Sequence, residues 1–153
     1  RKNKVRLHLA GDGPTRSRYV EYVKKHKLEN LIYFEGNLNQ SQMKKWYKKL
    51  TLYVHLSKDD TSSTSILQAL STGIPVISSA VGGNFGLRKK YKNIDNILLV
   101  DNNTKSIYQK INKIYKNFNL QQKMSISARR SIDLYFNSKN MFKKYSKLFK
   151  NEN

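Results

Sequence analysis

Residues 59–76 read Asp-Asp-Thr-Ser-Ser-Thr-Ser-Ile-Leu-Gln-Ala-Leu-Ser-Thr-Gly-Ile-Pro-Val, and their order decides the fold. A polar, hydroxyl-rich loop, Asp59 to Ser65, leads into a short apolar run of Ile66, Leu67, Ala69 and Leu70. Ser and Thr ahead of such a run accept the first free N–H groups of a helix, so a helix start is expected there. Gly73 stops the helix, because glycine adopts the left-handed conformation that ends one, and a proline soon after fits the same stop. Pro75 opens a buried strand at Val76-Ile77. A helix N-terminus also presents unpaired N–H groups and a partial positive charge, which suits a phosphate. Asp60 stands before that terminus and Gln68 one turn inside it, with seven residues between them.

The flanking sequence continues the alternation of strand and helix. Val5 to Ala10 reads as a strand, followed by Gly11-Asp12-Gly13-Pro14. A glycine-rich turn with Pro at a helix start is Rossmann-like punctuation, although the full G-x-G-x-x-G fingerprint is lacking. The next helix, Thr15 to Lys27, places Tyr19, Val20 and Val23 on one face. Asn30 to Gly36 is a second strand. Ser41 to Lys49 is helical, with Met43, Trp46, Tyr47 and Leu50 spaced as a packed face rather than a ligand-stacking set. Leu52 to Leu56 is nearly continuous apolar sequence, as expected of a strand buried in a parallel sheet. Pro75 to Ser79 and Ile97 to Val100 complete the strands, with the turn Ala80 to Gly86 between them. Three apolar stripes follow: Ile107, Ile111, Ile114 and Phe118; Leu120, Met124, Ala128 and Ile132; Phe142, Tyr145 and Leu148, after a break at Tyr135 to Ser138. All three are expected to pack against the sheet. Strands alternating with helices at this spacing give an α/β fold, a Rossmann-like parallel sheet flanked by helices.

The chain of 153 residues is one domain's worth, and 38% hydrophobic residues suffice for a core. Without cysteine there is no disulfide framework and no thiolate metal site. His8, His26 and His55 show no metal-ligand spacing, so structural or surface roles are expected for each. No apolar run reaches membrane-spanning length. A net charge of +20 points to an anionic partner. The lysines are spread over nearly every expected helix and no nucleic-acid-recognition motif is present, which favours an anionic membrane face over a specific nucleic acid.

The opening stretch resembles the retaining GT-B glycosyltransferases of family four, whose pattern is E-G-F-G-x-x-x-x-E-A-x-x-x-G-x-P-V. Ala69, Gly73, Pro75 and Val76 match its second half. Asp60 and Gln68 stand where the family has two glutamates, and Thr61-Ser62-Ser63 stands for G-F-G. The stretch is closer to a bacterial D-G-T-S-x-S-L-L-E-A variant. Elsewhere the likeness holds in order. The Gly11 to Pro14 turn matches the family's G-x-G-P, and Asn30 to Gly36 resembles its V-x-F-x-G. Ser57 matches the serine of D-x-x-V-x-P-S, and Gly82-Gly83 matches G-G-x-x-E, with Gly86 in place of the acid. Ile97 to Asp101 resembles G-x-L-V-x-x-x-D, and Ala128-Arg129 to Phe136 resembles the family's A-R…F-[ST] ending.

The resemblance implies one half of a GT-B fold: over 1–153, the C-terminal nucleotide-sugar-binding domain of a cytoplasmic enzyme, as a fragment that lacks the N-terminal acceptor domain. The family's first strand of this domain, and the Arg and Lys after it, are expected ahead of Arg1. Asp60 is implied to contact the donor sugar, and Gln68 the ribose hydroxyls. The N–H groups near Ser63, Thr64 and Ser65 are implied to cradle the diphosphate, and Leu38 to lie against the base. The implied partners are a nucleotide-sugar donor, a UDP-sugar most often, and a glycan or lipid-linked acceptor in bacterial polysaccharide or glycoconjugate synthesis. Peripheral contact with the inner face of an anionic membrane is the further partner expected. Neither a metal nor another cofactor is implied, and no catalytic nucleophile is named. The isolated chain is expected to be inactive. Two other functions stay open at this point: a degenerate, accessory domain, which the changes at Asp60, Gln68 and Gly86 allow, and a nucleic-acid-binding domain resting on charge alone.

Overall fold

The computed structural model describes residues 5–150, which divide into two compact units at Trp46 and Tyr47. In the first unit, strand β1 (Leu7–Ala10) runs parallel to β2 (Ile32–Gly36), with Leu7 opposite Ile32 and Leu9 opposite Phe34. Helix α1 (Arg16–Lys25) connects them and buries Val23. Tyr19, expected on the packed face, is 58% exposed, and Val23 is the residue that α1 buries instead. Helix α2 (Gln40–Lys49) starts with a reciprocal cap. Asn39 Oδ1 accepts the Gln42 N–H at 3.0 Å, and Gln42 Oε1 accepts the Asn39 N–H at 2.9 Å.

The second unit holds three parallel strands, β3 (Tyr53–His55), β4 (Val76–Ser79) and a later strand at Ile97–Val100, with β4 in the middle. Tyr53, Val54 and His55 lie opposite Val76, Ile77 and Ser78. Every residue of β4 is buried, as its central place requires. β3 was expected to be buried too, yet it is half-buried and Leu56 beyond it is 48% exposed, because β3 is an outer strand of its sheet. Hydrogen bonding therefore divides the parallel strands into a pair and a trio, where the alternation alone implies one sheet.

Helix α3 (Thr64–Ser71) joins β3 to β4. It ends at Gly73, whose φ is +77°. The Gly73 N–H reaches the Leu70 carbonyl at 2.9 Å and the Ile74 N–H reaches Ala69 at 3.2 Å, the double bond of a Schellman stop. A one-turn helix α4 (Asn84–Leu87) follows β4, then the antiparallel hairpin β5 (Lys90–Tyr91) and β6 (Ile94–Asp95), and β7 is Ile97–Val100. The hairpin was not foreseen. Its turn residues, Lys92 and Asn93, both have positive φ, and only Asn is a residue that favours it. Asn96, fully buried beside the hairpin, accepts the Lys89 N–H at 2.7 Å and donates to the Leu87 carbonyl and to Ser131 Oγ.

Helices α5 (Thr104–Tyr115) and α6 (Phe118–Tyr135) supply the expected stripes. Ile114 and Met124 are buried with Ile77 and Val100, and Leu52, Val54, Leu98, Ile107, Ile111 and Leu120 pack around them. Burying each such side chain is worth about 1.5–3 kcal/mol. Phe118 is 70% exposed, against expectation, because it is the first residue of α6 and Asn117 caps the helix there. The third stripe also departs from expectation. On α7 (Ser138–Lys150), Phe142, Tyr145 and Leu148 are exposed. α5 packs on β4 and β7, and α6 on α3 and the hairpin, whereas α7 makes no comparable packing with any described element.

Candidate functional site

The site is built on residues 55–68 at the carboxyl end of β3, where ligands of open parallel sheets bind. The loop is anchored at its start by side chains from the neighbouring strand ends. Ser79 Oγ accepts the Ser57 N–H at 2.9 Å and donates to Asn102 Oδ1 at 2.6 Å, while Asn102 Nδ2 donates to the Ser57 carbonyl at 2.6 Å. Ser57 Oγ donates to the Asp59 carbonyl. The three strand termini are thereby stitched together just before Asp60.

Asp60 is fixed twice. Its carbonyl accepts the Gly83 N–H at 2.7 Å, and its Oδ2 lies 2.8 Å from His55 Nε2. Gly82 and Gly83 are needed for this approach. A Cβ on Gly82, whose φ is +41°, would sit 2.2 Å from the Asp60 carbonyl oxygen, and one on Gly83 would sit 1.6 Å from that of Thr61. The close approach that the glycine pair permits is thus to the chain's own loop.

Ser63 caps α3, its Oγ accepting the Ile66 N–H at 3.4 Å, and its carbonyl accepts the Leu67 N–H. The first-turn N–H groups of Thr64 and Ser65 have no acceptor within the helix, as at any helix start. Ser63 Oγ is 2.8 Å from Ser65 Oγ, which is 3.4 Å from His55 Nδ1. Below them Tyr47, 2% exposed, donates its hydroxyl to the Ser65 carbonyl at 3.1 Å and lies 3.5 Å from Gln68 Oε1. Burial pushes the Tyr47 phenol well above its ordinary range, with Tyr53 adding to the effect. Thr61, Ser62, Thr64 and Gln68 are exposed on the loop and first turns of the helix.

The structure brings Asp60, Ser63 and Ser65 into one hydrogen-bonded cluster, and sets Thr64 and Gln68 on the same helix. Leu38 belongs to the first unit, half-buried in the turn between β2 and α2, two residues after Gly36 with its φ of +67°. Among the described residues no group of three or more His, Cys, Asp and Glu could hold a metal ion, and no helix is long and apolar enough to cross a membrane.

The profile of the family described as glycosyl transferases group 1 matches residues 1–131. The chain belongs to this family. Within this group 1 glycosyltransferase chain, 81 residues are 31% identical to protein CapJ of Staphylococcus aureus, covering 52% of this chain and 20% of CapJ. A stretch of 77 residues is 29% identical to the alpha-monoglucosyldiacylglycerol synthase of Streptococcus pneumoniae, covering 50% of this chain and 18% of the synthase. The structure of Anabaena Alr3699/HepE in complex with UDP shares the fold, with a TM-score of 0.80 at 18% identity over 96% of this chain and 41% of that one. The chain spans less than half the length of each of these three proteins. The partner that residue patterns missed in this cluster is His55. It lies five positions before Asp60 at the end of a strand, a spacing at which a loop can fold the acid back onto the ring.

Proposed function

We propose that this chain is the C-terminal, donor-binding domain of a retaining glycosyltransferase that moves a sugar from a UDP-sugar to a glycan or lipid-linked acceptor in bacterial polysaccharide or glycoconjugate synthesis. The observation that carries it is the clustering of Asp60, Ser63 and Ser65 at the N-terminus of α3, with Gln68 exposed one turn on. In this assignment Asp60 contacts the donor sugar and Gln68 accepts from the ribose hydroxyls. The N–H groups of Thr64 and Ser65, with the helix dipole, stabilise the charge that grows on the departing diphosphate. Leu38 lies against the base. The UDP complex of the Anabaena neighbour supports UDP as the nucleotide. The chain alone transfers no sugar, because the acceptor side is supplied by the rest of the protein.

Calorimetric titration of the full-length protein with UDP and UDP-glucose tests this. Asp60→Ala lowers UDP-glucose affinity while UDP affinity stays within about twofold, and Gln68→Ala lowers both. Equal affinities in all three proteins count against the assignment. The charge of +20 also supports peripheral contact with an anionic membrane on the cytoplasmic side. Sedimentation with phosphatidylglycerol vesicles, lost at high salt, is the expected result; equal sedimentation with neutral vesicles counts against it.

A further inference from the structure

We propose that His55 is a positioning residue of the donor site, tying the Asp60 carboxylate to the hydroxyls at the N-terminus of α3. The inference rests on the donor-site assignment above and adds a residue that it does not contain. The Asp60 carboxylate only accepts, so a neutral His55 donates to it from Nε2 and leaves Nδ1 as an acceptor, and this sets the direction of the chain. Ser63 Oγ accepts the Ile66 N–H, so its own proton is free for Ser65 Oγ at 2.8 Å. The Ser65 proton then serves the acceptor nitrogen, His55 Nδ1, at 3.4 Å. Neutral imidazole carries its proton on the other nitrogen, Nε2, which donates to Asp60 Oδ2 at 2.8 Å. Every donor in the sequence Ser63, Ser65, His55, Asp60 finds an acceptor.

The ring is itself held. It stacks on Tyr53, with centroids 6.3 Å apart and planes 30° from parallel, and Tyr53 meets Tyr47 edge-on at 5.4 Å. Tyr47 grips the Ser65 carbonyl from beneath. The side chains of His55 and Asp60 are 22% and 18% exposed, so their bond is sheltered from water and charge-assisted. The imidazole occupies Oδ2 and leaves Oδ1 of Asp60 for a sugar hydroxyl. A single ring therefore sets the distance between the acid and the helix terminus.

The test uses the full-length protein, titrated calorimetrically with UDP, UDP-glucose, UDP-galactose and UDP-N-acetylglucosamine. Four variants are compared: His55→Phe, His55→Asn, His55→Gln and Asp60→Asn. The amide nitrogen of Gln reaches the place of Nε2, whereas that of Asn lies nearer Nδ1. For the UDP-hexose that wild type binds tightest, His55→Phe and His55→Asn lose about tenfold or more in affinity, and lose less for UDP. His55→Gln recovers to within about threefold of wild type. Rescue by Gln alone separates positioning from packing. The proposal is overturned if His55→Phe binds the UDP-hexose as wild type does while Asp60→Asn is weakened. It is also overturned if His55→Gln falls as far as His55→Phe. A wild type that binds none of the four ligands, or an Asp60→Asn variant that binds like wild type, instead overturns the donor-site assignment, and this inference with it.

Discussion

Replacing Gly83 by Ala puts the packing of the donor loop under direct strain. The new Cβ would lie 1.6 Å from the Thr61 carbonyl oxygen and 3.2 Å from the Ser62 nitrogen, both backbone atoms that cannot rotate away. Reaching even a 3.0 Å contact moves the two backbones apart by about 1.4 Å, the difference between 3.0 and 1.6. The 2.7 Å bond from the Gly83 N–H to the Asp60 carbonyl does not survive that retreat. Losing the bond costs about 0.5–1.5 kcal/mol, and overpacking adds about 1–3 kcal/mol. The expected loss is about 2–4 kcal/mol, read as a lower urea midpoint by circular dichroism on the full-length protein. Gly82→Ala is also destabilising, since its φ of +41° is strained for alanine and the Asp60 carbonyl is 2.2 Å away. Gly86→Ala is the control. Nothing lies within 4 Å of its Cβ, and its effect is neutral or stabilising by up to about 1 kcal/mol. A Gly83→Ala protein within about 0.5 kcal/mol of wild type would falsify the packing role assigned to the glycine pair.

Asn96→Ala takes the side-chain partner from the part-buried Lys89 N–H and the buried Leu87 carbonyl, while Ser131 keeps its bond to the Ala128 carbonyl, and stability falls by about 1–3 kcal/mol in the same urea assay. Ser63→Ala removes the cap of α3, but its bond to Ile66 is long at 3.4 Å, so the loss sits near the low end, about 0.5–1 kcal/mol. The raised phenol of Tyr47 means the folded chain keeps a proton that the unfolded chain gives up above the ordinary phenol value of 10.0. Stability is therefore complete below that pH and falls as pH rises through it, and Tyr47→Phe makes the urea midpoint less steep in pH there. Gln68→Glu restores charge to the proposed ribose contact and tightens UDP binding by about five- to tenfold in calorimetry.

The local events were legible in the residues themselves. Ser63 before an apolar run, Gly73 after it and Pro75 ahead of Val76 act within a turn of their own positions, and the cap, the stop and the central strand fall where these signals put them. What escaped depends on partners distant in sequence. Gly82 and Gly83 read as a plain turn until Asp60 and Thr61 are seen across it. His55 looked like one residue of a nearly continuous apolar strand, and such a strand does not say which loop atom its ring will meet. The stripe on α7 correctly marks one apolar face, but a periodic pattern carries no information about what lies against that face. The Lys92-Asn93 turn is weak for the same hairpin that Asn-Gly announces strongly, and the split into two sheets rests on strand pairing, which no single segment encodes.

The most direct measurement of the donor-site account is hydrogen exchange of the full-length protein with and without UDP, read by mass spectrometry at peptides spanning residues 55–70. UDP is expected to slow exchange at Thr64 and Ser65, whose N–H groups have no acceptor within α3, and to leave α7 unchanged. Binding of UDP, verified by calorimetry on the same sample, with no slowing anywhere in 61–68 would contradict it.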